Sequence, residues 1–333
     1  MRTLASGATG FLGGHVTPLL RGLGPLDFLS RSPHEGAIRA DLTQWDGGID
    51  PVALRDRYDA FVHMAGMYDL RASQIDAYRQ NIASTHAALT IAEKAGIRHF
   101  VHVSTIAVAM GDALAPVGPD ALDASRAFSD HYSASKAHAE EMVRMRGSFD
   151  SVLILRLGIL VGDTLGGPIH RVDGPYFVAE AFRRLKPWIS AWPGPLWLPG
   201  NPDVRLPIVP VDVASQAMVR LIGKMHDEDW KGVRSLYLAP REGLSPGRLY
   251  EASLKRIGIE KGFELIRRIP DALVSRVAEV LGQLPREETE YVLRMPRLET
   301  SATEEILGRD WCPEFDEFEE AFWQGYEKHV SNR

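Results

Sequence analysis

The strongest constraint on this chain lies near its start. Gly7-Ala8-Thr9-Gly10-Phe11-Leu12-Gly13 follows a short apolar run, Thr3–Ser6, and leads into a helical pattern at about 13–22. Glycines at this spacing let the backbone turn sharply out of a strand, admit a bulky anion and let the helix pack closely. The helix that follows presents unpaired N–H groups and the positive end of its dipole. Strand, glycine turn and helix together point to a βαβ unit whose turn cradles a dinucleotide pyrophosphate. Gly7, Gly10 and Gly13, with Thr9, Phe11 and Leu12 between them, are the expected cradle.

The rest of the first half supports that unit. Apolar runs at Leu26–Ser30, Ala60–His63, His99–Ser104 and Val152–Leu157 read as strands. Helical patterns at about 74–95 and 131–146 lie between them. Val101, Val103 and Val152 to Leu155 are apolar without strict alternation, as expected for parallel strands buried on both faces. In the helix at 131–146, Met142 and Val143 are expected to face the sheet, and Glu140, Glu141, Arg144 and Arg146 to face water. The fold class is therefore α/β: a Rossmann-type, doubly wound parallel sheet with a smaller, mostly C-terminal substrate lobe. The expected division is a Rossmann domain over 1–161, a substrate-lobe insertion over 162–207, a return to the Rossmann domain over 208–234 and a C-terminal lobe over 235–333. The stretch 162–207 is rich in Gly, Pro and aromatics and shows little periodicity.

Composition narrows the function classes. The 333 residues carry a formal net charge of -6 with no basic stretch, which argues against a nucleic-acid partner. Cys312 is the sole cysteine, which excludes an internal disulfide and a thiolate metal cluster and fits a reducing cytoplasm. The first apolar stretch ends at once in glycines, unlike a signal peptide. No run approaches the roughly 18 apolar residues of a membrane span. A cytoplasmic chain is expected.

Two further patterns carry chemistry. The second strand ends Leu29-Ser30-Arg31-Ser32, without the acid that holds a ribose 2′-OH about 20 residues beyond the glycines. Arg31 can pair instead with a 2′-phosphate, so NADP(H) is expected over NAD(H). In Tyr132-Ser133-Ala134-Ser135-Lys136 the Tyr and Lys lie four apart, on one face of a helix. A neighbouring ammonium is expected to bring the phenol towards working pH. The strand upstream ends in Ser104-Thr105, which supplies a hydroxyl for a substrate carbonyl.

With these motifs the chain resembles the extended short-chain dehydrogenase/reductase superfamily over essentially its whole length, most clearly in 1–160. The resemblance implies that Thr105, or alternatively Ser104, orients the substrate, that Tyr132 is the acid/base and that Lys136 is its partner and ribose anchor. It also implies that Asp41-Leu42 contacts adenine, that Ala65 and Gly66 in His63-Met64-Ala65-Gly66 flank the adenine-side ribose, and that Asn81 steadies the sheet near the site. A homodimer through a four-helix contact is a further implication. Arg156-Leu157-Gly158 departs from the family's Arg-Pro-Gly, leaving backbone contacts to nicotinamide less fixed. The stretch Ile106–Asp112 lacks the tyrosine common in sugar-nucleotide epimerases. The segments His63–Asp69, Ser104–Asp112, Arg171–Phe177 and Ile208–Asp212 resemble fatty acyl-CoA and carrier-thioester reductases.

The resulting expectation is hydride transfer to a hydrophobic carbonyl or acyl-thioester substrate. Its rivals are a nucleotide-sugar epimerase or dehydratase holding NAD, and a non-catalytic NADP-binding sensor. Trp188, Trp192 and Trp197 lie in a Pro-rich stretch and read as an apolar substrate wall, a satellite core or a membrane-surface patch. The segment Ile269–Leu284 is expected to pack against the core. His15, His63, His99, His102, His131, His138 and His170 lack metal-ligand spacing and are expected to be satisfied structural residues, with no metal. Asp212 and Arg205 read as a plain surface pair, with a place near the substrate mouth as the alternative.

Overall fold

The computed structural model describes residues 1–111, 116–267 and 286–331. Asp112 and the segment Ile269–Leu284 lie outside the described residues. The strands are β1 (Thr3–Ser6), β2 (Leu26–Ser30), β3 (Ala37–Arg39), β4 (Ala60–His63), β5 (His99–Thr105), β6 (Ser151–Leu157), β7 (Ile159–Val161), β8 (Leu196–Pro199), β9 (Ile208–Pro210), β10 (Gly232–Leu238) and β11 (Phe263–Ile266). Seven of them form one sheet in the order β10-β6-β5-β4-β1-β2-β3, and its pairs are all parallel. The order reverses at β1, where β4 lies on one side and β2 on the other. The carboxyl ends of the strands at such a switch point open the crevice in which α/β sheets bind ligands.

Alternation along the strands builds two cores. Ala5, Val62, Val101, Leu153 and Leu155 pack with Val16 and Leu20 of α1 (Phe11–Arg21) and with Met218 and Leu221 of a later helix, Val211–Asp227. Leu4, Phe61, Phe100 and Ile154 face the other way, against Leu89 and Ile91 of the helix Ser84–Lys94 and Val143 of the helix His131–Arg144. Both faces are covered, as a parallel sheet requires.

Three features depart from the sequence reading. The helical stretch at 74–95 is a short α-helix, a π-helical segment at Tyr78–Ala83 and then an α-helix. The stretch 162–207 contains a 17-residue helix, Pro175–Ala191. Gly174, at φ +49°, turns the chain into it, and Pro175 sits in its first turn, where a missing N–H costs nothing. It buries Tyr176, Ala179, Phe182 and Ile189 at helical spacing, and Pro187 within it masks the pattern in sequence. Tyr176 stacks on Phe322 with ring centroids 4.2 Å apart, at the heart of a third core. Finally, β10 belongs to the main sheet along its whole length, so the sheet runs four residues past the expected boundary at 234.

The tryptophans do not form a satellite core. Trp188, Trp192 and Trp197 are 72%, 50% and 57% exposed, and none lines the cleft described below. Strand alternation explains Trp197: Leu196 and Leu198 turn inward towards Phe182 and Tyr250, so the residue between them points out. Among the described residues no helix is long and apolar enough to cross a membrane.

Candidate active site

The glycine turn has the geometry that close approach demands. Gly7 adopts φ +75°, and a Cβ there would lie 2.5 Å from the Ala65 nitrogen. A Cβ at Gly13 would lie 2.0 Å from the Gly7 carbonyl oxygen, so only glycine lets α1 sit this near to β1. No side chain caps α1 at Gly10, which leaves first-turn N–H donors to a ligand. A cleft of about 400 Å³ opens in front of them. Its lining includes Gly7, Gly10, Phe11, Leu12, Gly13 and Gly66 from the cradle side, and Ser104, Thr105, Tyr132 and Lys136 from the far side. The exposed donors, the close glycines and the extended cleft fit a dinucleotide.

Thr9, Arg31, Asp41, Leu42, Ala65 and Asn81 do not line this cleft. Arg31 is exposed just beyond β2. Asp41 accepts hydrogen bonds from the Thr43 N–H at 3.0 Å and hydroxyl at 2.8 Å. Burial works to raise its carboxyl, but those bonds and the charge of Arg31 hold it below the ordinary value. The Leu42 side chain is buried in the core. Asn81, in the π-helical segment, ties the site together. Its Oδ1 accepts from the Met67 N–H at 2.8 Å, and its amide donates to Ser135 Oγ at 2.8 Å.

Tyr132, Lys136 and Glu140 repeat every four residues along the helix His131–Arg144 and face β5. Asp130 caps this helix by accepting from the Ser133 N–H at 2.7 Å. Burial pushes the Tyr132 phenol up to about 12, with a hydrogen bond to the Thr105 side chain and the charge of Arg171 acting against the rise. Against the expectation the phenol is raised, and the Lys136 side chain is engaged with the strand backbone. Its ammonium donates to the Val103 carbonyl at 2.6 Å, and its burial lowers it to about 8. A buried, extended lysine finds its partner in the strand backbone, and the charges that bear on Tyr132 come from Asp130 and Arg171.

Glu140 contradicts the water-facing expectation: its side chain has no exposure. It pairs with the equally buried Arg156 through Nη2 at 2.7 Å and Nε at 3.1 Å, and with Arg144 at 2.8 Å. Burial works to raise the Glu140 carboxyl, but Arg156 overrides it and holds the group below its ordinary value. Ser104 Oγ donates to Glu140 Oε2 at 2.6 Å, so the Ser104 hydroxyl belongs to this network while Thr105 is the hydroxyl beside Tyr132. The signal for Glu140 was available, since it lies one helical turn beyond Lys136 on the same face.

Other site residues came only as parts of longer segments. Tyr68 lies edge-on to Tyr132 with centroids 5.2 Å apart. The Arg171 guanidinium sits 4.8 Å over the Tyr68 ring, donates to the Tyr68 carbonyl at 2.7 Å and pairs with Asp173. The segments around Tyr68 and Arg171 therefore meet at the cleft. Among the histidines, His63 is hydrogen-bonded to Ser6 and Thr85, and burial followed by the charge of Lys136 lowers it to about 3. His102, in contrast, is buried with no partner at either ring nitrogen, so it is not a satisfied structural residue. Asp212 binds Thr164 and Arg205 binds backbone carbonyls, so they are not the expected surface pair. Among the described residues no group of three or more His, Cys, Asp or Glu could hold a metal ion.

Comparison with known proteins decides the family. The model of the male sterility protein family matches residues 31–218, more than half of the chain. The chain belongs to this family. It lies within the extended short-chain dehydrogenase/reductase superfamily, as the motifs implied. This male sterility family member is 31% identical over 167 residues to a 3β-hydroxysteroid dehydrogenase/Δ5→4-isomerase of Mycobacterium tuberculosis, covering 46% of this chain and 44% of that one. It is 31% identical over 181 residues to a UDP-glucose 4-epimerase of Azospirillum brasilense, covering 50% of this chain and 51% of the other. The chain thus spans about half the length of the curated relatives it matches. The terminal R domain of the myxalamid PKS-NRPS pathway shares the fold, with a TM-score of 0.77 at 22% identity over 100% of this chain and 91% of the other. Further structures of this fold were solved with NAD or with NADPH.

Proposed function

We propose that this protein is a reductase that uses a nicotinamide cofactor, NADPH in preference to NADH, on hydrophobic carbonyl compounds. One observation carries the reading: Thr105, Tyr132 and Lys136 line the same cleft as the glycine cradle. The cradle N–H groups and Gly66 would hold the cofactor's phosphates and ribose, and Arg31 the 2′-phosphate. The bound cofactor would supply the hydride. Thr105 would hold the substrate oxygen, and Tyr132, protonated across neutral pH, would give it a proton. The negative charge developing on that oxygen is what these two donors stabilise. Lys136 donates once to Val103 and keeps two N–H donors for a ribose hydroxyl. We place the division between the lobes at 239, after β10, with the insertion at 162–207 and the C-terminal residues forming the substrate side.

The test is NADPH consumption against a panel of aldehydes, ketones and fatty acyl thioesters, repeated with NADH. Steady loss of NADPH absorbance with at least one hydrophobic carbonyl supports the reading, and equal dissociation constants for NADPH and NADH remove the cofactor assignment. The Azospirillum relative favours a second reading, a nucleotide-sugar epimerase. That enzyme would retain NAD and convert a sugar nucleotide with no net change in cofactor.

A further inference from the structure

Arg171 enters the cleft from the insertion, and three contacts fix where its guanidinium lies. Nη2 donates to the Tyr68 carbonyl at 2.7 Å, Nε pairs with Asp173, and the group sits 4.8 Å over the Tyr68 ring. That ring in turn meets Tyr132 edge-on, with centroids 5.2 Å apart. We infer that Arg171 is a positioning residue for the proton donor: through Tyr68 it holds the Tyr132 ring in place, and it brings to the cleft a positive charge that steadies the phenolate left after proton transfer. The inference rests on the reductase reading. The segment carrying Arg171 is tied down on both sides of the cleft. His170 stacks on Phe11 of the glycine turn with centroids 5.8 Å apart. The Gly166 carbonyl accepts from Lys328 at 2.6 Å, and the Ile169 carbonyl accepts from His329 at 2.8 Å.

When Tyr132 gives its proton to a substrate oxygen, its O–H bond breaks and the electron pair stays on the phenolate oxygen. Burial opposes that charge, because a low-dielectric site favours the neutral form. The groups around Tyr132 pull in both directions. Asp130, at the start of the same helix, works with burial to hold the proton, whereas the Thr105 side chain on β5 and the charge of Arg171 from the insertion work against it. Tyr68 from the loop after β4 and Tyr291 from the C-terminal residues present their rings. Lys136, one turn along the helix, already donates to the Val103 carbonyl, and its burial lowers it to about 8. Burial works to lower Arg171 as well, but Asp173 holds it above its ordinary value. A guanidinium keeps its charge in proteins, so Arg171 supplies a cation that rising pH does not remove. Its side chain is 41% exposed, so water screens part of that charge and the effect on rate is moderate.

Two measurements on the intact protein test this. In the first, the tyrosines are replaced biosynthetically by 3-fluorotyrosine, whose phenol titrates at lower pH than that of tyrosine. The Tyr132 resonance is assigned by its loss in Tyr132→Phe, and its titration is followed by fluorine NMR, with no turnover required. Arg171→Met should move that titration to higher pH, and Arg171→Lys, which keeps the charge and loses the fork, should move it less. In the second, kcat, KM and the NADPH dissociation constant are measured for a carbonyl that the panel finds. Arg171→Met should lower kcat about tenfold, a part of the ~10²–10⁴ that a positioned acid supplies, with NADPH binding nearly unchanged. Arg171→Lys should recover part of the loss, and the fall in rate above about pH 8 should keep its place, since Lys136 sets it. If Arg171→Met does not fold, Arg171→Gln is read in its place. A Tyr132 titration that neither variant moves, or a kcat that stays close to normal without the charge, overturns the inference. A titration that moves as expected without any carbonyl turnover keeps the hold of Arg171 on Tyr132 and removes the reductase reading instead.

Discussion

At the residue scale, Lys136 carries the clearest electrostatic consequence. Its ammonium is buried against the Val103 carbonyl and titrates at about 8, while the Tyr132 phenol titrates at about 12. Below about pH 8 the lysine is charged and the phenol holds its proton, the combination needed to anchor a ribose and donate to a substrate oxygen. Above it the lysine loses its charge first. Carbonyl reduction should therefore hold steady at neutral pH and fall as pH rises through about 8. A pH profile of kcat/KM checks this, and a rate that climbs through that range contradicts the assignment. Arg31 makes a separate prediction. Arg31→Ala should weaken NADPH about tenfold or more while NADH changes little, since a charge-assisted bond is worth ~1.5–3 kcal/mol. Equilibrium titration of both cofactors reads the difference. That Thr105, Tyr132 and Lys136 meet at one cleft was legible because their spacing implies one helix face and one strand end. The direction of the Lys136 side chain was not, because chain spacing does not say which oxygen a long side chain will reach.

At the element scale, the helix carrying Tyr132 is held to β5 by charge. Glu140 binds Ser104 at the end of that strand and Arg156 on β6, so one carboxylate fixes the helix against the residue preceding Thr105. Glu140→Gln would leave Arg156 charged, buried and uncompensated. We expect it to destabilise the protein by ~3–5 kcal/mol, measured by urea unfolding, with activity falling as the register between helix and strand loosens. A loss under ~1 kcal/mol would show that the pair holds little. Sequence reasoning placed this helix within two residues of its observed end and still sent Glu140 to water. A charged residue reads as exposed unless its buried partner is known, and Arg156 is 16 residues away in sequence. The π-helical segment holding Asn81 was hidden for a related reason. Its side-chain pattern is helical, and only backbone pairing reveals the extra residue, in a form frequent at functional sites.

For the whole molecule, the doubly wound sheet was readable because each parallel strand is an apolar run and each crossover a helical pattern. The substrate side was less readable. Its helix, Pro175–Ala191, contains a proline, and its core closes through Phe322, Trp323 and Tyr326, which lie far along the chain from Tyr176. Because the cofactor would bridge the strand ends on both sides of the switch point, it should stabilise the whole fold. At 100 times its dissociation constant a ligand adds ~2.7 kcal/mol, so NADPH should raise Tm, and an equal concentration of NADH should raise it less. Equal shifts would weigh against Arg31 as the selector. The most direct test of the central claim is Tyr132→Phe, assayed for both turnover and NADPH binding. The expected result is a loss of carbonyl reduction by ~10²–10⁴-fold with the NADPH dissociation constant nearly unchanged. A Tyr132→Phe enzyme that reduces its carbonyl substrate at close to the normal rate would contradict it.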